Sequence, residues 1–343
     1  MVVKIGCQDV ARAAGVSPTT VSLVLNRRMD VSISEATRQR VLAVAEELGY
    51  RPNLLAKGLL RGRTRTIGVM LPSLASSFVA QIAEGIQSAA GDEDYRVLLG
   101  HTRHEAEFEG RQLELLIQHQ VDGVIILAGE KTLKHLGGRL GTLAKAGIPC
   151  VVVDDRTWAA EVDCVVSDDE DGARQAVTHL LELGHRRIAF LGAGDLTSSA
   201  RDRLRGYQLA LKGAGVEFDP GLVAGSSFLG GDGFQAATTL LSQPRRPTAL
   251  FAANDRRLAE ALPVLEQLEL QVPRDLSLVG YANYDFAAYL GFSSMDQQPV
   301  ELGRVALFRL LERLDRPGLR PKILRLPTRL VARSSSAPPR SSA

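Results

Sequence analysis

His101 and His104 stand three residues apart with Glu105 beside the second, an arrangement that would offer two imidazoles and a carboxylate to a metal ion. Scattered polar surface explains these three residues more simply, and no metal site is expected. Gly192, Ala193 and Gly194 follow an apolar run and begin like a dinucleotide-binding GxGxxG, but Thr197 occupies the last glycine position. No GxxxxGK[ST] phosphate loop is present, and no nucleophile–base pair presents itself, so neither catalytic residues nor a cofactor are expected. Cys7, Cys150 and Cys164 form no CxxC pair, which excludes a disulfide scaffold and suits a reducing compartment. The chemistry that remains is nucleic-acid contact. Residues 1–65 hold eleven lysines and arginines against five carboxylates, a surplus of six. The whole chain carries only +2, so the remainder is acidic by four. A small basic head on a larger acidic body points to DNA or RNA contact by the head alone.

The elements that must position this head are helical. Residues 8–14 read as a short helix with Val10, Ala11 and Ala14 apolar, ended by Gly15. Ser17 then offers an N-cap oxygen and Pro18 sits at the first helical position, where its missing N–H costs nothing. Val21, Val24 and Leu25 give this second helix an apolar face. A third helix is expected over about 34–48, capped by Ser34, with Val41, Ala45 and Leu48 inward and Gly49 as its terminator. Two helices joined by a short turn containing glycine make a helix-turn-helix. Residues 53–60 could add one more helix, and 61–65 read as an exposed basic linker.

The 343-residue chain is 45% hydrophobic and 23% charged, an ordinary globular composition with material for two or three domains. No stretch approaches the ~18 uninterrupted apolar residues of a membrane span, and the first ten residues lack the apolar core of a signal peptide. The expectation is a cytoplasmic protein with no membrane partner. Beyond residue 65, continuous apolar runs recur at 67–71, 97–99, 121–127, 150–153, 164–166, 188–191, 250–253 and 276–279, with helical patterns between most of them. Such alternation argues for parallel sheets covered on both faces. About 275 residues is large for one sheet, so two α/β subdomains are expected, dividing near 158–163. The Ser/Pro-rich end, about 334–343, reads as disordered.

Several motifs in one order carry a resemblance. DVARAAGVSPTTVS from Asp9 to Ser22, then Val24-Leu25-Asn26, and ELGYRPN from Glu47 to Asn53 resemble the DNA-binding head of the LacI/GalR family of bacterial transcription regulators. RTIGV from Arg65, QVDGVII from Gln120, AGIP from Ala146, HLLELGHRRIAF from His179, FAAND from Phe251 and VPRDLS from Val272 are similar to that family's effector-binding core. The match runs from about Lys4 to Ser336. It implies an all-α helix-turn-helix head (1–50), a hinge helix and linker (51–65), and two α/β subdomains with parallel sheets like those of periplasmic binding proteins. The first would comprise 66–160 plus about 293–320, the second 161–292 plus about 321–335, with a disordered tail at 336–343.

The resemblance also implies roles. The helix from Pro18 would enter the major groove, with Pro18, Thr19 and Leu23 at base-reading positions and Thr20, Ser22, Asn26 and Arg27 near phosphates. Leu23 departs from the Arg or other polar residue of many relatives, so a bidentate guanine contact is lost there. Ala56, Lys57 and Leu59 match the hinge helix, whose leucine wedges into a central base step of bent DNA. Gly58 replaces the usual serine and costs a helix roughly 1 kcal/mol against alanine. Phe78, Asp154, Arg203, Phe228 and Asn254 map onto the effector cleft, which in such sheets lies beyond the carboxyl ends of the strands. Gly280-Tyr281-Ala282 lacks the family's aspartate after the aromatic. The implied function is a regulator of the repressor type: a homodimer on a pseudo-palindromic operator, controlled by a small effector such as a sugar or related metabolite. An effector-independent regulator is the alternative, and a solute-binding protein a more distant one.

Overall fold

The computed structural model describes residues 5–25, 31–50, 63–127, 129, 133–192, 194, 197–227 and 231–340. The chain forms two compact units, one ending at Thr64 and one beginning at Arg65. Asn26, Arg27, Ala56, Lys57, Gly58, Leu59 and Phe228, and with them the expected hinge helix, lie outside the described residues.

The head contains α1 (Cys7–Ala14), α2 (Pro18–Leu25) and α3 (Glu35–Glu47). Asp9 begins α1 by accepting the Gly6 N–H at 2.9 Å. Gly15 ends it in the left-handed region at φ +63, where glycine meets no Cβ penalty. Ser17 Oγ accepts the Thr20 N–H at 3.1 Å, and Ser34 Oγ accepts that of Thr37 at 3.3 Å, so both expected caps form. Val10, Ala11, Ala14, Val21, Val24, Val41 and Ala45 close a small core among the three helices.

The second unit holds two six-stranded sheets. The first comprises β1 (Thr66–Leu71), β2 (Arg96–His101), β3 (Gly123–Leu127), β4 (Cys150–Val153), β5 (Asp163–Ser167) and β11 (Ile323–Leu326). Their order is β11-β5-β4-β3-β1-β2, parallel throughout. The second comprises β6 (Ile188–Leu191), β7 (Val223–Ala224), β8 (Ala249–Ala252), β9 (Ser277–Tyr281), β10 (Ser293–Asp296) and β12 (Arg329–Val331). Its order is β12-β10-β9-β8-β6-β7, parallel except for β12.

Each sheet is covered on both faces, and strand alternation divides its side chains between two cores. In the first sheet, Ile67, Val69, Ile125 and Val151 face α4 (Ser77–Asp92) and α12 (Pro299–Asp315). Met70, Val124, Ile126 and Val152 face α5 (Ala106–Gln118) and α6 (Leu133–Lys145). In the second, Ile188, Phe190 and Phe251 face α7 (Asp169–Glu182) and α8 (Ser198–Gly213), while Ala189, Leu191 and Leu250 face α9 (Gly233–Leu241) and α10 (Asp255–Gln267). A short α11 (Asp285–Tyr289) follows β9.

The chain passes between the sheets three times: after β5, after β10 and after β11. Gln297 Nε2 donates to Ser167 Oγ at 3.0 Å, and Gln298 Nε2 to the Pro327 carbonyl at 2.6 Å, tying the three passages together. The sheet membership corrects the expected boundaries. Residues 163–167 stay with the first sheet because β5 pairs β4, so the first passage falls after Ser167 rather than near 160. Residues 293–296 belong to the second sheet because β10 pairs β9, and 323–326 to the first because β11 pairs β5. The expected disordered tail is also corrected up to Arg340. Ser336 Oγ bonds His179 Nε2 and Ser293 Oγ, both at 2.9 Å, and Ala337 exchanges backbone bonds with the Ser277 hydroxyl at 2.9 and 3.0 Å.

Helix pairs in both halves cross at glycines. A Cβ on Gly85 would stand 2.0 Å from the Val300 carbonyl oxygen, and one on Gly303 2.1 Å from that of Ile82. On Gly206 it would stand 2.2 Å from the Glu170 oxygen. Gly303→Ala is therefore expected to destabilise the core by about 1–3 kcal/mol through overpacking of α4 against α12. Urea unfolding of the full chain reads this, and an unchanged midpoint would refute so close a crossing.

Candidate nucleic-acid interface and ligand cleft

On α2, Val21 and Val24 point inward. Pro18, Thr19 and Ser22 are exposed, and Thr20 and Leu23 are half-buried. The five described residues expected at DNA thus lie away from the two positions that build the core. Leu23 is not among the side chains of that core. The start of α2 is tied to α1 by Cys7 Sγ, which donates to the Pro18 carbonyl at 3.5 Å. Arg40 of α3 donates to the Ala14 carbonyl at 3.0 Å and so fixes the turn between the first two helices. The face presents hydroxyls and methyl groups, which suit base edges and thymine methyls.

In the second unit the carboxyl ends of both sheets open onto one cavity of about 490 Å³, within the usual range for small-molecule sites. Phe78, Asp154, Arg203 and Asn254, the described residues expected at an effector, all line it. Phe78 enters on the first turn of α4. Asp154 follows β4 in the left-handed region at φ +67. Asn254 caps α10, its Oδ1 accepting the Arg257 N–H at 3.0 Å.

Arg203, on α8, is 4% exposed. Its Nε donates to Asp169 Oδ1 at 3.0 Å, with Nη2 2.9 Å from the same oxygen, and Nη1 donates to the Ala253 carbonyl at 2.6 Å. The guanidinium also lies over the Tyr281 ring, 3.9 Å from its centroid. Asp154 Oδ1 is out of contact with solvent and has no hydrogen-bond partner. Burial pushes the Asp154 carboxyl up to about 8; Asp169 and Asp155 push the same way and Arg203 opposes them. Behind the cavity wall, Asp255 accepts from Ser294 Oγ at 2.7 Å and from the Tyr284 N–H at 2.8 Å, and burial raises it to about 7.

Residues that sequence reasoning missed join the two halves beside the cavity. Asp155 Oδ2 accepts the Ser198 N–H at 2.9 Å, so a carboxylate after β4 sits at the N-terminus of α8 in the other half. Arg156 donates its backbone N–H to Ser198 Oγ at 3.0 Å and pairs with Asp202 at 2.5 Å. Across the mouth, Gln81 Nε2 donates to Asp285 Oδ1 at 3.3 Å. Asp169 was missed because it lies in an acidic run, Asp168 to Asp171, whose evident use is to begin a helix. Tyr281 was missed because a tyrosine at a strand end reads as core. Among the described residues, no three His, Cys, Asp or Glu side chains gather to hold a metal, and no helix is long and apolar enough to cross a membrane.

Residues 7–53 match the model of bacterial regulatory proteins, lacI family, and residues 177–336 that of a periplasmic binding protein-like domain. The ribose operon repressor of Escherichia coli K12 is 33% identical over 331 residues, covering 96% of this chain and 99% of its own. The lac repressor dimer bound to operator and the anti-inducer ONPF superposes with TM-score 0.83 at 28% identity, over 97% of this chain and 99% of that one. The complex of the transcriptional regulator CelR with cellobiose gives 0.72 at 31%, over 97% and 100%.

The raised Asp154 pKa has a definite consequence for stability. Its folded value lies above the ordinary carboxylate range, so the folded state holds a proton that the unfolded chain releases near pH 4. That contribution is whole below about pH 4 and is lost as pH rises through about 8. The excess stability of Asp154→Asn over the parent is expected to grow across this window and then level off. Thermal unfolding of both proteins from pH 4 to 9 measures it; parallel curves would contradict the assignment.

Proposed function

The chain belongs to the lacI family of bacterial regulatory proteins, and from that premise we propose how its residues divide the work of a transcriptional repressor. It is a DNA-binding regulator with a helix-turn-helix head and an effector-binding core. Two copies bind a pseudo-palindromic operator. Thr19, Pro18 and Leu23 read bases, Thr20 and Ser22 hold phosphates, and the segment with Asn26, Arg27, Ala56, Lys57 and Leu59 extends the contact by family analogy. A small-molecule effector, in the first instance a sugar, occupies the cavity lined by Phe78, Asp154, Arg203 and Asn254, with Phe228 assigned by analogy alone. The chain performs no catalysis and acts in the bacterial cytoplasm, where the operator is.

The observation that supports this reading most is the cavity at the carboxyl ends of both sheets, lined by residues from both halves. A ligand there touches Phe78 and Asp154 of one half and Arg203 and Asn254 of the other. Its affinity therefore depends on the angle between the halves, and each ligand shifts that angle only by its differential affinity for the two states. The convergence of Phe78, Asp154, Arg203 and Asn254 from both halves on one cavity favours a ligand-controlled regulator over an effector-independent one.

Selection of bound fragments from the source genome is expected to return an inverted repeat. Recovery without sequence preference would sink the repressor reading. On the selected site, Thr19→Ala is expected to cost about 1 kcal/mol, the net worth of one hydrogen bond, while binding to unrelated DNA stays the same. Anisotropy titrations on both DNAs separate the two, and an equal loss on each would move Thr19 from base reading to phosphate contact.

A further inference from the structure

The cavity wall and a passage between the sheets meet at one side chain. Tyr281 ends β9, is fully buried, and lies with its ring under the Arg203 guanidinium. Its hydroxyl lies beside Asp169, the carboxylate that holds Arg203, and beside the hydroxyl of Thr328. A Cβ on Gly172 of α7 would stand 2.2 Å from Tyr281 Oη and 2.4 Å from Thr328 Oγ1, so the two oxygens converge where that glycine leaves room. Both are shut from solvent, and neither completes a hydrogen bond of good geometry. Thr328 also has a special place in the chain. Pro327 and Thr328 alone separate β11 of the first sheet from β12 of the second. Proline fixes its own φ, so a change of angle along this passage turns largely on Thr328. The residues before it are held: the Leu326 carbonyl accepts the Asp168 N–H of the first passage at 2.8 Å, and Pro327 accepts from Gln298 of the second. Resting on the reading of the cavity as an effector site, we propose that Tyr281 is a positioning residue. Its hydroxyl couples the Asp169–Arg203 wall of the cavity to Thr328, and so to the angle between the two halves.

The coupling follows from the count of protons. A carboxylate only accepts, so Tyr281 gives its one proton to Asp169, and Thr328 gives its own to Tyr281. A ligand that draws on Arg203 loosens the guanidinium's hold on Asp169. The carboxylate then pulls harder on the tyrosine proton. The tyrosine oxygen becomes a stronger acceptor for Thr328, because hydrogen bonds in a chain polarise one another. Occupancy thus tightens the Tyr281–Thr328 bond and holds the passage in one setting.

Operator affinity reads this coupling with no ligand added. On the inverted repeat returned by genomic selection, anisotropy titrations compare the full-length parent with Asp169→Asn, Thr328→Val and the two together. The set is then repeated with Tyr281→Phe added, which keeps the ring under Arg203. With Tyr281 in place, the double variant is expected to depart from the product of the single shifts in Kd by at least about threefold, as residues joined through a shared partner do. With Tyr281→Phe, the shifts should multiply to within about twofold. Arg203→Lys loosens the same wall and gives a second cycle with Thr328→Val, with the same outcome expected. Thr328→Ser retains the hydroxyl and should bind as the parent does. Affinity for unrelated DNA should stay level throughout, which a general loss of structure would not permit. Shifts that multiply with Tyr281 present, or a departure that survives Tyr281→Phe, overturn the inference. If the parent itself shows no preference for the repeat, the repressor reading fails and the inference falls with it.

Discussion

Parallel pairing is the constraint from which the architecture of the core follows. A parallel neighbour cannot be reached by a tight turn, so the chain must climb back along a face of the sheet between strands. That return buries both faces and demands strands apolar on both sides. It also places every strand's carboxyl end at the same edge, where the chain leaves for a loop before the next helix. In this molecule two such edges face one cavity. Phe78, Asp154, Arg203 and Asn254 are scattered over 177 positions of sequence. They converge because each follows a strand end or lies on the first turns of the helix after it.

The second determinant is the burial of charge at that edge. A guanidinium at 4% exposure must be balanced within the protein, and Asp169, Ala253 and Tyr281 do so. Once Arg203 is satisfied, the neighbouring Asp154 gains little from it. It is half-buried in the cavity wall and two further carboxylates lie near, so its carboxyl is pushed up. Asp155, the next residue, meets the opposite fate. It accepts the free N–H at the start of α8 and joins the two halves. Adjacent carboxylates thus divide, one binding the protein to itself and one making no hydrogen bond at its Oδ1.

Much of this was legible in the residues. All eight apolar runs coincide with observed strands; seven of those strands are buried along their whole length and so show no polar alternation, while β2, at the sheet edge, is partly exposed. The caps at Ser17 and Ser34 and the terminators at Gly15 and Gly49 were readable for the same local reason. What escaped was structure held by side-chain hydrogen bonds. β10 reads Ser-Ser-Met-Asp and carries no apolar signal, yet its serines are fully buried. Ser293 bonds Arg333 and Ser336, Ser294 bonds Asp255, and these partners lie far away in sequence. The boundary at 293 comes from the family resemblance, and the pairing of β10 with β9 moves it. The docked end of the chain was missed for the same reason, since Ser336 and Ala337 find partners in His179 and Ser277 that no local pattern announces. Of the cavity, the family resemblance supplied Phe78, Asp154, Arg203 and Asn254, but only geometry supplied Asp169 and Asp155, whose acidic neighbours hid them.

The three passages between the sheets have a consequence for how such a gene can be rearranged. Neither half of the core is a continuous stretch of coding sequence. A recombination point anywhere between β5 and β12 would unite strands and helices whose partners were left in the other parent. The helix pair α4–α12 joins residues more than 200 positions apart through two glycines that admit each other's backbone. The boundary at Thr64 and Arg65 is different, since the head closes its own core before the first strand begins. Exchange at that one point would hand a new operator to an intact ligand sensor. Inheritance can shuffle the address this protein reads far more freely than the two halves of the pocket through which it listens.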